Sequence, residues 1–355
     1  MEKKGFHVVV AGLGNTGGPL ALHLARMPEI THLTIVDPEF FEAGNLVGQA
    51  IDRVDVDRPK VEAMAEKLRR IRPAIGNAGL EVVALRERIE DVPRGLLLEC
   101  DLLASCLDSK VGRQLTNEIA FRLDKPWADC GVLASQQLVR VSAYVPGEDA
   151  PCLECAWGSD EYAALEQSYI CGAGELKGYP TMAISALGAL AASLMAIEIR
   201  KLLSGDLAHS LAGRQLVLDA EHHVMQVSAL RRNPWCRFDH RSLHVIEPWI
   251  CPPEATTVGA ALSTLGSLQV EGHRFACELL CPGCGYQQKS LRLNRPLARC
   301  PACNRRMVTA GFGALDRIDS TLVGEYADLT LAEIGLRAGD IVSGGARYRR
   351  IQEAA

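Results

Sequence analysis

Four of the thirteen cysteines stand as Cys281-Pro-Gly-Cys284 and Cys300-Pro-Ala-Cys303, two Cys-x-x-Cys pairs separated by residues 285 to 299. Each pair predicts a tight knuckle with converging thiolates, and two knuckles complete a tetrahedron around zinc. A closed four-thiolate site is structural: it folds a segment too small to build its own core. A third pair, Cys152-x-x-Cys155, is the start of another such site. The amino terminus, Met1 to Val10, has no long apolar core and no cleavage site. Cysteine pairs in that setting predict metal in a reducing cytoplasm rather than disulfides.

A second chemistry is written in Gly12-Leu13-Gly14-Asn15-Thr16-Gly17, which follows an apolar run and opens a helical pattern. Glycines there let the backbone approach phosphate, and the helix amino terminus offers unpaired N–H groups. Asp37 ends the next apolar run, at the distance where a carboxylate binds ribose hydroxyls. Asn45 and Gln49 follow in a loop that could reach a nucleotide. Lys60 opens a helix, where a cation opposes the helix dipole unless an anion is close; by itself it reads as a solvated charge. Asp108 follows the run Leu102 to Leu107 and would emerge at the same sheet edge, either to hold magnesium against a triphosphate or to cap the helix that begins at Ser109 and Lys110. A nicotinamide or flavin dinucleotide is the rival ligand for the glycine loop.

The elements that must position these residues alternate in the first half of the chain. Phe6 to Ala11, His32 to Val36, Asp101 to Leu107 and Val139 to Val145 read as strands. Pro19 to Met27 reads as the end of a helix. Val61, Met64, Ala65, Leu68 and Ile71 share one helical face, opposite Glu62, Glu66, Arg69 and Arg70. An Ala-rich helix spans about Thr181 to Leu203 and contains an apolar stretch too short for a bilayer. The fold class is therefore α/β: a Rossmann-like, mostly parallel sheet flanked by helices, plus a small carboxy-terminal zinc-ribbon domain. With 355 residues there is room for two domains. The texture changes after Leu218, and Pro248, Pro252 and Pro253 read as a linker, which places the boundary between 1–245 and 246–355, with the ribbon at about 277–306. A net charge of −5, 48% hydrophobic and 23% charged residues exclude a disordered or coiled-coil chain and give no global reason for a polyanionic partner.

Gly12-x-Gly14-x-x-Gly17, Asp37, Asn45-Leu46-x-x-Gln49, Arg58-Pro59-Lys60-Val61, Leu107-Asp108, Pro151-Cys152-Leu153-Glu154-Cys155 and the Gly188 to Leu203 helix together resemble the adenylating domain of ubiquitin-activating enzymes and the sulfur-carrier adenylyltransferases of thiamine and molybdopterin synthesis (ThiF/MoeB/HesA). The resemblance covers roughly Phe6 to His240. It implies an ATP- and magnesium-dependent enzyme that joins AMP to the carboxy-terminal glycine of a small β-grasp protein. It assigns Asp37 to the ribose, Asn45 and Gln49 to the nucleotide, Lys60 to the phosphates and Asp108 to magnesium. It also implies a homodimer through the Ala-rich helix region, while the shortness of the chain's one long apolar stretch gives no reason to expect a membrane partner. Two departures stand out. The family places arginine where this chain has Gly48, and a second family arginine comes from an amino-terminal helix for which this chain has little room; Arg53 is the nearest cation that could compensate. An inactive nucleotide-binding relative stays open, as does the oxidoreductase.

The family completes the Cys152/Cys155 site with a second Cys-x-x-Cys, where this chain has Cys236-Arg-Phe-Asp-His240. That implies a site of three cysteines and one histidine with Cys236 and His240, or one in which Cys251 is the fourth ligand, and about two zinc ions per chain. Enzymes of the family that form a thioester carry a cysteine just before the long helix, a place held by Cys171 in Tyr-Ile-Cys-Gly-Ala-Gly; a thiolate near a helix amino terminus is suited to acyl transfer. The extra domain favours a ubiquitin-like conjugation pathway over a sulfur carrier, with a downstream conjugating enzyme as a further partner. Within 281–306 there is no Asp or Glu, whereas Lys289, Arg292, Arg295, Arg299, Arg305 and Arg306 are present. Six cations against a zinc–thiolate charge of −2 leave about +4, which fits an acidic protein surface or a merely solvated face better than nucleic acid, since Tyr286 is the one aromatic there.

Overall fold

The computed structural model describes residues 5–72, 79–170, 183–295, 299–310, 313–345 and 347–353. They form two compact units, one of 5–92, 99–166 and 183–242, the other of 93–98, 167–170 and 243–353.

The first unit is built on an eight-stranded sheet. Its strands are β1 (Phe6–Ala11), β2 (Ile30–Val36), β3 (Glu81–Leu85), β4 (Leu102–Ser105), β5 (Trp127–Leu133), β6 (Leu138–Tyr144), β7 (Arg214–Asp219) and β8 (Val224–Ala229). Spatial order is β3-β2-β1-β4-β5-β6-β7-β8. The first five run parallel, and β6 to β8 continue antiparallel. Helices α1 (Gly17–Leu24), α2 (Lys60–Ile71), α4 (Lys110–Arg122), α5 (Ser159–Ile170) and α6 (Ser185–Leu203) accompany it; the short α3 (Arg94–Leu97) belongs to the second unit. Val8 and Val10 of β1 are wholly buried, as a strand covered on both faces requires. On α2, Val61, Met64, Ala65 and Leu68 are buried while Glu62, Arg69 and Arg70 face water. Burying each of Val61, Met64 and Leu68 contributes about 1.5–3 kcal/mol. Helix α6 buries Leu187, Ala191, Ala192, Met195, Ile199 and Leu202 against the same core. No described helix is long and apolar enough to cross a membrane.

Strand β1 has β2 on one side and β4 on the other, so the chain leaves β1 and β4 in opposite directions and a crevice opens at their carboxyl ends. Gly12 follows β1, and Asp108 follows β4 three residues after Ser105.

The second unit holds a five-stranded sheet ordered β15-β10-β16-β17-β9 and a smaller sheet around β11. The strands are β9 (Ile246–Ile250), β10 (Ser267–Val270), β11 (Phe275–Leu280), β12 (Gln287–Leu293), β13 (Val308–Thr309), β14 (Ala314–Leu315), β15 (Arg317–Asp319), β16 (Ile341–Ser343) and β17 (Tyr348–Gln352). The expected linker is corrected at Pro248: it lies inside β9, paired in register with Arg350 of β17. Because β9 is the sheet's edge, one side of it needs no N–H donor and proline is tolerated.

Candidate functional site

The glycine loop is packed too tightly for side chains. A Cβ at Gly17 would lie 1.9 Å from the Gly12 carbonyl oxygen, and one at Gly12, whose φ is +89°, would lie 2.7 Å from that of Cys106. Gly14 faces open space. The loop is tied to β2 by Asp37, whose Oδ2 accepts the Leu13 N–H at 2.7 Å while Oδ1 accepts the Glu39 N–H at 2.9 Å. Each carboxylate oxygen keeps a second lone pair for a further donor, such as a ribose hydroxyl.

Lys60 is 5% exposed, not the solvated charge its sequence position suggests. Its Nζ donates to Glu39 Oε2 at 2.6 Å, and its backbone N–H donates to the Glu39 carbonyl. The partner carboxylate is itself 67% exposed, so it can swing into water and release the ammonium to another anion. Burial raises the Asp37 pKa, and the Lys60 charge is the largest influence opposing that rise. The sign follows directly. The charged carboxylate is the stronger acceptor, so if Asp37 holds a ribose, adenosine binding is expected to weaken on acidification at a higher pH than an ordinary aspartate dictates. Lys60→Met should move that midpoint higher still; a pH series of adenosine titrations on both proteins checks it, and an unmoved midpoint removes the coupling.

Asp108 is exposed at the start of α4. It is not the helix cap, because Ser109 Oγ takes that role by accepting the Gly112 N–H at 3.0 Å. Asn45 uses its Oδ1 on the Glu42 N–H in a 3-10 turn, and Gln49 Oε1 is buried with no hydrogen-bond partner among the described residues. A buried acceptor of this kind is costly unless a ligand or water reaches it. Arg53 is exposed on the turn Arg53–Asp55, and no described contact joins it to the glycine loop. At Gly48 an added Cβ would lie 3.4 Å from the Ala183 carbonyl oxygen. Cys171 lies outside the described residues.

Two further residues belong to this edge and escaped the sequence reading. Arg113 donates to the Leu107 carbonyl at 2.8 Å, reaches the Cys130 carbonyl, and lies 3.5 Å from the fully buried Asp129, so it straps the chain just beyond β4 to the middle of β5. Asn15 donates to the Ala183 carbonyl at 3.1 Å and is so close to Gly188 that a Cβ there would meet its Oδ1 at 2.2 Å. Their signal was only the spacing Asp108-x4-Arg113 and a lone glycine in an Ala-rich helix.

Both cysteine clusters converge. The ligand atoms of Cys152, Cys155, Cys236 and His240 lie within 4.8 Å of one another, as do those of Cys281, Cys284, Cys300 and Cys303. Neighbouring sulfurs approach to 3.7 Å for Cys152–Cys236, 3.3 Å for Cys281–Cys303 and 3.5 Å for Cys284–Cys300. These spacings are far longer than a disulfide and near the roughly 3.8 Å edge of a tetrahedron with zinc–sulfur bonds of about 2.3 Å. The donor sets, four sulfurs and three sulfurs with one imidazole, fit zinc. Cys251 is not a fourth ligand of the first cluster: it is buried in the second unit's own core. In the four-cysteine cluster each knuckle ends on a left-handed residue, Gly285 at φ +75° and Asn304 at φ +58°, which turns the chain after the second cysteine.

The cluster that includes His240 grips α4 at two places. Asn117 accepts the Leu153 N–H, Gln114 donates to Glu154, and Arg122 donates to Asp239 and the Arg241 carbonyl. Phe121 packs edge-on against both Phe238 and His240. The basic face of the ribbon is smaller than six cations, since Arg295 is 9% exposed and paired in the interior with Asp340.

A mostly parallel sheet with a glycine loop after its first strand, a buried carboxylate bound to that loop and a buried lysine linked to it through Glu39 has the arrangement of a nucleotide-binding α/β domain. Residues 3–238 match the model of the ThiF family, and the chain belongs to that family. Several of the curated relatives that it matches are named adenylyltransferases. It is 26% identical to the sulfur carrier protein ThiS adenylyltransferase of Escherichia coli over 64% of this chain and 84% of that protein. It is 28% identical to the adenylyltransferase and sulfurtransferase UBA4 of Yarrowia lipolytica, covering 66% of this chain but 53% of the relative. Ubiquitin-like modifier-activating enzyme 5 of Gallus gallus is 25% identical over 65% of this chain and 58% of its own. Among solved structures, Escherichia coli MccB with ATP shares the fold, with a TM-score of 0.53 and 19% identity over 66% of each chain.

Proposed function

We propose that this chain is an ATP-dependent adenylyltransferase that activates the carboxy-terminal glycine of a small ubiquitin-like or sulfur-carrier protein. The observation that carries the reading is the continuous link from the glycine loop through Asp37 and Glu39 to the buried Lys60, with Asp108 on the neighbouring strand end. A carboxylate must attack the α-phosphate of ATP, and both are anions. Positioning and charge neutralisation are therefore most of what the protein supplies. In this reading the loop N–H groups and Lys60 hold phosphates, Asp37 holds the ribose, and Asn45 and Gln49 complete the pocket. Asp108 would hold magnesium, which supplies positive charge against the triphosphate. Zinc in the two cysteine clusters would be structural.

Two fates of the adenylate differ by one residue. Transfer to Cys171 would give a thioester of the ubiquitin-activating kind; without it, the adenylate would pass to a sulfur donor. The names of the relatives support both readings alike. Homodimerisation through the Ser185–Leu203 region, carrier recruitment by the second unit and a downstream conjugating enzyme belong to the same proposal.

The test mixes the purified chain with small proteins ending in glycine and follows ATP–pyrophosphate exchange. Exchange that depends on one such carrier is expected. A thioester that reductant cleaves and Cys171→Ala abolishes selects the first fate. Binding of NAD or FAD with no exchange overturns the reading.

A further inference from the structure

Beneath the nucleotide loop lies a pair of thiols that adenylation does not use. The sulfurs of Cys106 and Cys130 are 3.6 Å apart, and the two residues are 9% and 1% exposed. Met195 of α6 brings a third sulfur to 4.0 Å from Cys106. Ser105 and Asp129 pair in register between the parallel strands β4 and β5. The next residue along the chain is in each case a cysteine, Cys106 just past the end of β4 and Cys130 within β5, and the two side chains meet. Adjacent strands are about 4.7–4.9 Å apart, inside the roughly 4.4–6.8 Å between α-carbons that a disulfide spans. Only a side-chain rotation and about 1.5 Å of approach separate the pair from a bond.

Cys106 is also the floor of the loop. Its N–H donates to the Ala11 carbonyl at 2.8 Å, its carbonyl oxygen blocks a side chain at Gly12, and its Cβ lies 3.1 Å from where a Gly17 Cβ would be. A shift of Cys106 toward Cys130 therefore moves the surface on which both glycines rest.

We propose that Cys106 and Cys130 form a modification site, oxidised by a hydroperoxide to a disulfide that disables the nucleotide loop. The inference rests on the nucleotide-binding reading above. In the first step one sulfur gives up its proton and attacks a peroxide oxygen, which breaks the O–O bond, leaves a sulfenic acid and releases water from hydrogen peroxide. In the second the other sulfur attacks the sulfenic sulfur, loses its proton and expels a second water. Two thiols lose two electrons and two protons, and one peroxide becomes two waters. Hydrogen bonding to Cys130 and burial both push the Cys106 thiol up, so the closed loop protects the pair and its opening exposes it. Bound nucleotide should act as a shield.

The test uses the zinc-loaded chain with hydrogen peroxide, in the presence and absence of magnesium-ATP, and maps disulfides by peptide mass after alkylation. A chromogenic chelator follows zinc release from the other thiols. Expected results are a Cys106–Cys130 crosslink in nucleotide-free protein, an ATP affinity lower by about tenfold or more, recovery with dithiothreitol, and slower crosslinking with nucleotide. Cys130→Ala should keep its affinity through the same treatment, and Cys130→Ser serves if that variant does not fold. Crosslinks elsewhere only, a crosslinked pair with unchanged affinity, or equal loss in the Cys130 variants would overturn the proposal. Should the untreated protein bind no ATP, the nucleotide reading fails instead, while the mapping still decides whether the pair closes.

Discussion

Replacing Asp108 with asparagine is expected to lower ATP–pyrophosphate exchange by about two to three orders of magnitude, the usual cost of removing one group that stabilises transition-state charge. The side chain is exposed, and Ser109 already caps α4, so the fold has no use for this carboxylate. Asparagine keeps the shape and removes the charge that would hold magnesium. Melting temperature should therefore stay put while exchange collapses, a split that separates a role at the metal from a role in packing. Lys60 makes the contrast plain: the lysine is buried and held by Glu39, whereas the aspartate is exposed beyond the end of β4. Exchange that survives in Asp108→Asn at near wild-type rate would remove the magnesium assignment.

Cys300→Ser is expected to unfold the ribbon of the second unit and leave the nucleotide site working. Among the described residues, the ribbon's own apolar cluster holds Ala276, Leu279, Met307 and the buried cysteines Cys281 and Cys300. That is too little to order two knuckles against the loss of chain entropy. Structural zinc contributes on the order of 10–16 kcal/mol in small finger peptides, as much as a whole domain's net stability of about 5–15 kcal/mol, so metal decides whether the segment is folded. Zinc content should fall from about two per chain to one, and limited proteolysis should cut within 281–306. Cys155→Ser should behave differently. Its cluster anchors α4 through Asn117, Gln114 and Arg122, so its loss should lower exchange as well as zinc content. A Cys300→Ser protein that keeps both zincs and resists protease would show that the cluster is not a metal site.

The alternating strands and helices, the glycine loop and the two knuckles of the ribbon were legible in sequence because each depends on neighbours in the chain. Periodicity marks a buried face, and a Cys-x-x-Cys turn closes on itself whatever surrounds it. In the first unit, strands β3, β5, β7 and β8 were not read, since short apolar or mixed runs gain their identity from the strands they pair with. Pro248 shows the same limit: proline reads as a break, and only an edge position in a sheet makes it a strand residue.

What the sequence alone determined here is local chemistry: which residues could cradle phosphate, which could ligate zinc, and that helices must cover a parallel sheet. The tertiary structure decided who meets whom. It buried Lys60 against Glu39, chose His240 over Cys251 as the companion of Cys236, took Arg295 out of the basic face, and laid Cys106 against Cys130 under the loop. Those outcomes bring together distant residues, 21 positions apart for Lys60 and Glu39 and 85 for His240 and the Cys155 of its cluster. Contacts of that range are set by how strands order themselves in a sheet and how helices pack on it, and no spacing along the chain encodes them.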